Sequence, residues 1–292
     1  MTVQDLTIVD ALQHQLLNAR RRDGAWGYEA GRPARLEPTC WALLALGTSR
    51  PESARVLAQW PSHAGALVEQ SGGLVNWSFH ALALWTLLAL GEDSVYELDP
   101  IAAALVEARG IALTPSSAQQ QNSHLQGWSW IDGTFSWVEP TAWCVLALKK
   151  WMRAHDDRAT AARVAEGERL LIDRVCRNGG WNYGNSNMLG TELQPYVPTT
   201  ALALLSLRDV GEPPHVVQGL RYLEAHQQTE TGALALSLAC ICLAVCDRPH
   251  AVAREALTTE WRHARFLDNL HVTALALYAA TAEQHQYGAF RV

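Results

Sequence analysis

This 292-residue chain is short of charge. Only 18% of its residues are Asp, Glu, Lys or Arg, against roughly a quarter in an ordinary soluble domain. The 49% that are apolar assure a sizeable core. Basic stripes are missing too: Arg20-Arg21-Arg22 is the one basic cluster, and the formal charge is −6. A surface for phosphate backbones needs the opposite balance, so no nucleic-acid partner is expected. No run is apolar for long enough to cross a bilayer. The longest, Ala233 to Cys246, is interrupted by Ser237 and falls short of the roughly 20 residues a span needs. The N-terminus, MTVQDLTIVDALQ, has no basic-then-apolar signal architecture, and the expectation is a cytoplasmic chain. The six cysteines, Cys40, Cys144, Cys176, Cys240, Cys242 and Cys246, sit mostly inside apolar helical runs. Free buried thiols are the norm there. Cys242 and Cys246 share a helix face, but no second ligand pair lies nearby, so neither metal nor cofactor is expected.

What the chain does have is one phrase written repeatedly. Gly127 to Lys150 opens on Gly-Trp, turns through Trp130, Ile131, Asp132 and Gly133, and reaches Trp137-Val138-Glu139-Pro140-Thr141 before an apolar run. Pro140 suits the first turn of a helix, where a missing N–H costs nothing. Glu139 would meet the positive end of the helix dipole. Gly24-Ala25-Trp26-Gly27-Tyr28 leads in the same way to Leu36-Glu37-Pro38-Thr39-Cys40-Trp41. Gly179-Gly180-Trp181-Asn182-Tyr183-Gly184 leads to Tyr196-Val197-Pro198-Thr199-Thr200. Weaker copies begin at Gly72-Gly73, Thr231-Gly232 and Leu270-His271. Six copies imply a period of about 45–50 residues, the scale of repeat architectures.

Each repeat reads as two helices. The first is amphipathic: Val3 to Ala19, Glu52 to Trp60, Pro100 to Ala108, Arg163 to Cys176, Pro214 to His226 and Ala251 to Trp261. The second is apolar nearly all round, at 38–46, 78–90, 140–151, 198–207, 232–246 and 271–280. A helix apolar on every side is buried on every side. Six wet helices around six dry ones predict an all-α, (α/α)6 toroid in a single domain, 1–292. An open array of helical pairs is the alternative, but neither terminal repeat has the polar outer face of a cap. Gly24, Gly72, Gly127, Gly180 and Gly232 fall at one rim, where glycine permits the left-handed turn that ends a helix.

These repeats resemble those of the terpene cyclase and protein prenyltransferase β-subunit superfamily, over essentially the whole chain. Ala142-Trp143-Cys144 is similar to the Ala-Tyr-Cys step that places a tyrosine in the prenyltransferase lipid cavity. The resemblance implies an isoprenoid or polyene ligand in the barrel, cyclised or isomerised by proton transfer. It also leaves two alternatives: a non-catalytic lipid- or protein-binding toroid, and a β-subunit-like chain that needs a helical partner. Two signatures of the superfamily are missing. No Asp-x-Asp-Asp run occurs; Asp156-Asp157 reads as a helix N-cap. His271 resembles the zinc histidine, but no Asp-x-Cys opens the preceding inner helix, so zinc is rejected.

Candidate site residues follow. Trp41, Trp85 and Trp143 open equivalent inner-helix runs and either line a substrate cavity by their indole faces or simply pack. Trp26, Trp128 and Trp181 are read as packing residues in the turns. Trp130, Tyr196 and His271 join the substrate-binding set. Glu139 and Asp132 are the leading proton donors, with Glu37 and His80 beside them, because a carboxyl in an apolar mouth is held protonated by desolvation. The plainer reading of the two glutamates is a repeated dipole interaction, and of the two histidines a satisfied core position. Thr114 to Gln126 is either a lid over the mouth or a surface excursion.

Overall fold

The wet and dry alternation predicted from the repeat is the architecture found. A computed structural model describes residues 7–70, 72–91, 98–115, 121–281 and 288–290. Twelve α-helices run through them: α1 (Ile8–Ala19), α2 (Leu36–Ala45), α3 (Arg50–Leu57), α4 (Trp77–Ala89), α5 (Asp99–Glu107), α6 (Val138–Met152), α7 (Arg158–Asp173), α8 (Val197–Ser206), α9 (Pro214–His226), α10 (Ala233–Val245), α11 (Ala251–Ala264) and α12 (Leu270–Thr281). The even-numbered helices form the inner ring. Each packs on the next, and α12 packs on α2, so the ring closes. The odd-numbered helices wrap it, with α1 laid against α12. The fold is an all-α (α/α)6 toroid. The only strands among the described residues are two hairpins of two-residue strands, β1 (Ser62–His63) with β2 (Ala66–Leu67) and β3 (Asn187–Met188) with β4 (Thr191–Glu192).

Three of the repeats share one joint, and it explains the recurrent Gly-Trp and Pro-Thr. The indole N–H of Trp26 donates to the carbonyl of Leu16 near the end of α1, that of Trp128 to Leu105 in α5, and that of Trp181 to Leu171 in α7. The carbonyls of Leu16 and Leu105 would otherwise be orphans of a helix C-terminus, and that of Leu171 accepts from Arg174 N–H as well. The backbone N–H of the same three tryptophans donates to the hydroxyls of Thr39, Thr141 and Thr200 in the following inner helices. Their carbonyls accept from the N–H of Arg35, Trp137 and Tyr196, the residues that precede those helices. The backbone N–H, the carbonyl and the indole N–H of each joint tryptophan are all satisfied inside the protein, so these residues can be buried. All three indoles are fully buried, as packing residues should be.

The glycines split into two kinds. Gly24, Gly72 and Gly180 have positive φ, as expected of a left-handed turn. Gly127 and Gly232 do not, which corrects the expectation at those positions. At Gly127 the reason is space: a Cβ would lie 2.3 Å from the Thr141 hydroxyl that receives Trp128. Two helix starts also differ from their expected places. α1 begins at Ile8, not Val3, because Thr7 caps it in a capping box with Asp10, and residues 3–6 lie outside the described residues. α7 begins at Arg158, not Arg163, because the Asp157 carboxylate accepts from the N–H groups of Ala159 and Thr160. That is the N-cap anticipated for the Asp-Asp pair.

The centre of the inner ring is filled by aromatic side chains. Trp41 sits 5.8 Å from Trp85, 5.9 Å from Trp143 and 5.8 Å from Tyr278, centroid to centroid. Trp85 and Trp143 are 5.5 Å apart, and Phe290 lies 4.7 Å from Trp85. These are packed, mostly edge-to-face arrangements. Phe290 arrives from the end of the chain, held by Lys150 donating to the Gly288 carbonyl. Among the described residues, no helix is long and apolar enough to cross a membrane.

Candidate active site

Because the inner helices run parallel, their first turns meet at one rim. The second residues of the six are Glu37, Ser78, Glu139, Pro198, Leu234 and His271. The polar members fall on α2, α4, α6 and α12, so one side of the mouth is polar and the α8–α10 side is not.

Glu37 is half-buried and already engaged. Tyr28 donates its hydroxyl to Oε2 at 2.6 Å, and His271 Nδ1 lies 3.5 Å from the same oxygen. Burial, reinforced by the negative charge of Glu37, raises the Tyr28 phenol above its usual range and keeps it a donor. Arg35 stands over the Tyr28 ring at 5.5 Å. It is held from behind by a forked pair with Glu69, which also accepts from the N–H of Leu36. The Tyr28 carbonyl accepts from Leu270 N–H at 2.7 Å, tying the first repeat to the last. This wall of the mouth is tied together by side-chain and backbone hydrogen bonds.

Glu139 occupies the same register on α6 and has a different balance of forces. Its carboxyl is pushed up to about 7, first by desolvation and then by the negative charge of Glu37, against a lowering hydrogen bond from the Trp130 side chain. A helix N-terminus favours a carboxylate, and here desolvation wins. The pair is symmetric in origin. Tyr28 and Trp130 each stand two residues after the joint tryptophan, and each donates to the glutamate of its own repeat. One carboxylate is therefore engaged by polar partners, and the other is held up to about 7 by its surroundings.

Beside Glu139 lies a cluster of aromatic rings open to solvent on one side. Trp130 is 4.9 Å from Trp137 and 5.8 Å from Tyr183, and Tyr183 is 5.3 Å from Tyr196. Tyr183 and Tyr196 are each nearly half exposed. A cavity of about 420 Å³ adjoins them, walled further by Tyr222, His226 and Ala235.

The remaining sequence candidates lie elsewhere. Asp132 is exposed, and its Oδ1 accepts the Trp77 indole N–H at 2.6 Å. His80 is fully buried: Nδ1 accepts from Leu67 N–H at 3.0 Å, which leaves Nε2 to donate to the Ile101 carbonyl at 2.9 Å. Burial holds it down to about 4, so it is a neutral tie between α4, α5 and the first hairpin. Trp41, Trp85 and Trp143 are in the packed centre, apart from the rim. Of the Thr114–Gln126 segment, 116–120 lies outside the described residues. The rest is pinned: Leu113 N–H donates to Ser123, Asn122 N–H to the Asp173 carboxylate, and Gln126 to the Gly110 carbonyl. Tyr28, Trp137 and Tyr183 were not among the sequence candidates, though Tyr28 and Tyr183 could have been found by their place in the repeat. No group of three or more His, Cys, Asp or Glu among the described residues is placed to hold a metal ion.

No family model and no curated protein matches this chain. Solved structures do match along its whole length. A family 76 glycoside hydrolase from a bovine Bacteroides thetaiotaomicron strain shares 12% identity over 97% of this chain and 79% of its own, with a TM-score of 0.64. A GH76 alpha-mannanase from Bacteroides thetaiotaomicron shares 10%, over 96% and 97%, at 0.64. A family 76 mannosidase of that species shares 10%, over 96% and 99%, at 0.63. At these identities the likeness speaks for the fold.

These neighbours overturn the terpene cyclase and prenyltransferase resemblance. With it fall the isoprenoid ligand, the cyclase or isomerase reaction, the non-catalytic toroid and the helical partner subunit. The physical reason lies in the joint. Gly-x-Trp followed by Pro-Thr encodes, in three of the repeats here, a hydrogen-bonded corner between an outer and an inner helix, and a corner specifies packing and no reaction. The indoles assigned to a polyene instead pack on one another and on Phe290.

Proposed function

We propose that the chain is a glycoside hydrolase, with Glu139 as its general acid and Glu37 as the charged partner carboxylate. The observation that carries this is the unequal pair. Glycoside hydrolysis needs two carboxyl groups flanking the scissile bond, one protonated to give its proton to the leaving oxygen and one ionised. Glu139, pushed up to about 7 by desolvation and Glu37, suits the first role. Glu37, held by Tyr28 and close to His271, suits the second, activating water or stabilising positive charge on the sugar ring. The partly exposed rings of Trp130, Tyr183 and Tyr196 offer flat apolar faces for a pyranose to lie against. The mannanase and mannosidase named among the structural neighbours make α-mannans and α-mannosides the first substrates to try.

The test is turnover of that panel by the wild-type chain, Glu139→Gln and Glu37→Gln. Each variant should fold and lose about 10²–10⁴ in rate. Wild-type protein inactive on every glycan offered, or an active wild type matched by Glu139→Gln, would remove the proposal.

A further inference from the structure

The three joints differ in length, and the longest borders a cavity. From the joint tryptophan to the threonine hydroxyl that receives it, the chain advances 13 residues in the first two and 19 in the third. The longer joint carries the hairpin β3–β4, and Tyr183 takes the position held in the others by Tyr28 and Trp130. Those two donate to the glutamate at the second position of their own inner helix. In α8 that position is Pro198, so Tyr183 has no such carboxylate to serve. Its ring is nearly half exposed instead. Its backbone stays close to the chemistry: the Tyr183 carbonyl accepts from the N–H of Val138, the residue before Glu139, at 3.0 Å.

The cavity beyond Tyr183, of about 420 Å³, falls within the usual size of ligand pockets. Tyr183, Tyr196 and Tyr222 supply ring faces, and His226 and Glu230 supply polar edges. These groups are held in place. Tyr222 donates its hydroxyl to the Pro195 carbonyl at 2.9 Å, and its ring lies 4.0 Å from that of His226. His226 Nδ1 donates to the Tyr222 carbonyl at 2.8 Å, which leaves Nε2 for a ligand. Glu230 Oε1 accepts from the N–H groups of Thr231 and Gly232 at 2.9 and 2.7 Å, which fixes the carboxylate and leaves Oε2. The lining has no Lys or Arg, so an anion would meet only the negative charge of Glu230. A hydrocarbon chain would desolvate Glu230 and His226 without pairing them. A sugar ring has a C–H face for a tyrosine and hydroxyls for the two polar edges.

We infer that this cavity is a distal sugar subsite, and that the substrate is an oligosaccharide whose scissile bond lies at Glu139 and whose further unit seats against Tyr222, His226 and Glu230. The inference rests on the hydrolase reading above. Proton transfer stays at Glu139; no reacting atom enters the cavity, which contributes binding alone. The route between them is continuous. Trp130, whose side chain bonds Glu139, lies 5.8 Å from Tyr183, and Tyr183 lies 5.3 Å from Tyr196. The two tyrosines also line the cavity, so a chain leaving the proton donor crosses their open faces to reach it.

The experiment uses the full-length chain and linear α-manno-oligosaccharides of one to five units. Titration calorimetry on Glu139→Gln, which should bind without cleaving, reads affinity against length. Affinity should rise about tenfold or more between two and five units, and adding His226→Ala should cancel most of that rise. Glu230→Gln keeps an oxygen for the Thr231 and Gly232 N–H groups, so its melting curve should be little changed. It should reduce the rise by a smaller factor, because a charged acceptor is lost. In the cleaving enzyme kcat/KM should climb over the same lengths, and His226→Ala should flatten the climb. Affinity that ignores length, or a rise that survives both variants, overturns the subsite. Cleavage that depends on Glu139 but is equally fast at every length overturns it too, and leaves the hydrolase reading standing. Length-dependent affinity lost in His226→Ala, in a protein that cleaves no glycan, supports the sugar site and removes the hydrolase reading.

Discussion

The protein holds two aromatic clusters built from the same residue types, and they do different work. The inner one, Trp41, Trp85, Trp143, Tyr278 and Phe290, is closed: none of its rings exceeds 5% exposure. The rim cluster, Trp130, Trp137, Tyr183 and Tyr196, is open, with Tyr183 at 46% and Tyr196 at 47%. Depth along the inner helix separates them. Trp137 and Tyr196 stand just before α6 and α8, whereas Trp85 comes eight residues after Trp77, the first residue of α4. At about 1.5 Å per residue that is about 12 Å further down the barrel. A tryptophan at a helix start meets solvent and carboxylates, and one two turns in meets only other rings. Indole count says nothing of function here; register does.

The sharpest way to break this comparison is to remove the acid at the rim. Glu139→Gln should cost about 10²–10⁴ in rate with the fold intact. The pH dependence carries a definite sign. The proton donor is the protonated form, so activity should persist below pH about 7 and fall above it. Because desolvation raises this carboxyl on folding, its effect on stability is most favourable below the unfolded carboxylate value, and it declines as pH rises through about 7. Glu139→Gln should flatten that decline in a series of melting curves. Trp130→Phe keeps an aromatic ring beside the carboxyl, and so its desolvation, but removes a hydrogen bond that holds it down. The alkaline limb of the activity profile should therefore move to higher pH in this variant, and a limb that moved lower would contradict the assignment.

Next in size is the inner cluster. Trp85→Ala would empty a fully buried site in contact with Trp41, Trp143 and Phe290. The expected cost is about 3–5 kcal/mol in denaturant unfolding. Trp130→Ala, half open at the rim, should cost much less. Equal losses would mean that the two clusters are one core. The outer wall supplies a smaller effect. Gly167 on α7 faces the joint, and a Cβ there would lie 2.7 Å from Val145 Cγ2 and 2.8 Å from the Trp128 ring. Alanine gains about 1 kcal/mol of helix propensity over glycine, but both neighbours are fully buried and cannot retreat. Gly167→Ala should therefore be net destabilising, within about 1–3 kcal/mol for overpacking.

The fold was legible because both its signals are periodic. Wet and dry helices alternate, and the Gly-Trp to Pro-Thr phrase recurs, so the closed ring and the rim could be located before any coordinate. The reaction class was not legible, because the same phrase specifies the corner of a toroid and nothing about what it encloses. Glu37 and Glu139 were singled out for their place at helix starts, yet sequence could not say that Tyr28 would hold one and desolvation would neutralise the other. The Tyr28, Trp130 and Tyr183 positions were readable in principle, two residues after each joint tryptophan.

Asp132 gives the smallest expected effect and the finest discrimination between the two acidic side chains of this loop region. It is exposed, and it accepts the Trp77 indole N–H at 2.6 Å. It stands on the outer loop with its carboxylate occupied by the Trp77 indole N–H, so it should not serve as the acid. Asp132→Asn keeps an oxygen that can accept the same N–H and removes only a solvated charge. Stability should stay within about 0.5 kcal/mol and kcat within about twofold. Asp132→Ala goes one step further and strands the N–H of a nearly buried indole, which should cost about 1 kcal/mol of stability with turnover still preserved. If Asp132→Asn instead slowed hydrolysis as much as Glu139→Gln, the proton would have to come from the exposed loop. The unequal pair of glutamates would then be two helix-dipole partners, one of them merely desolvated.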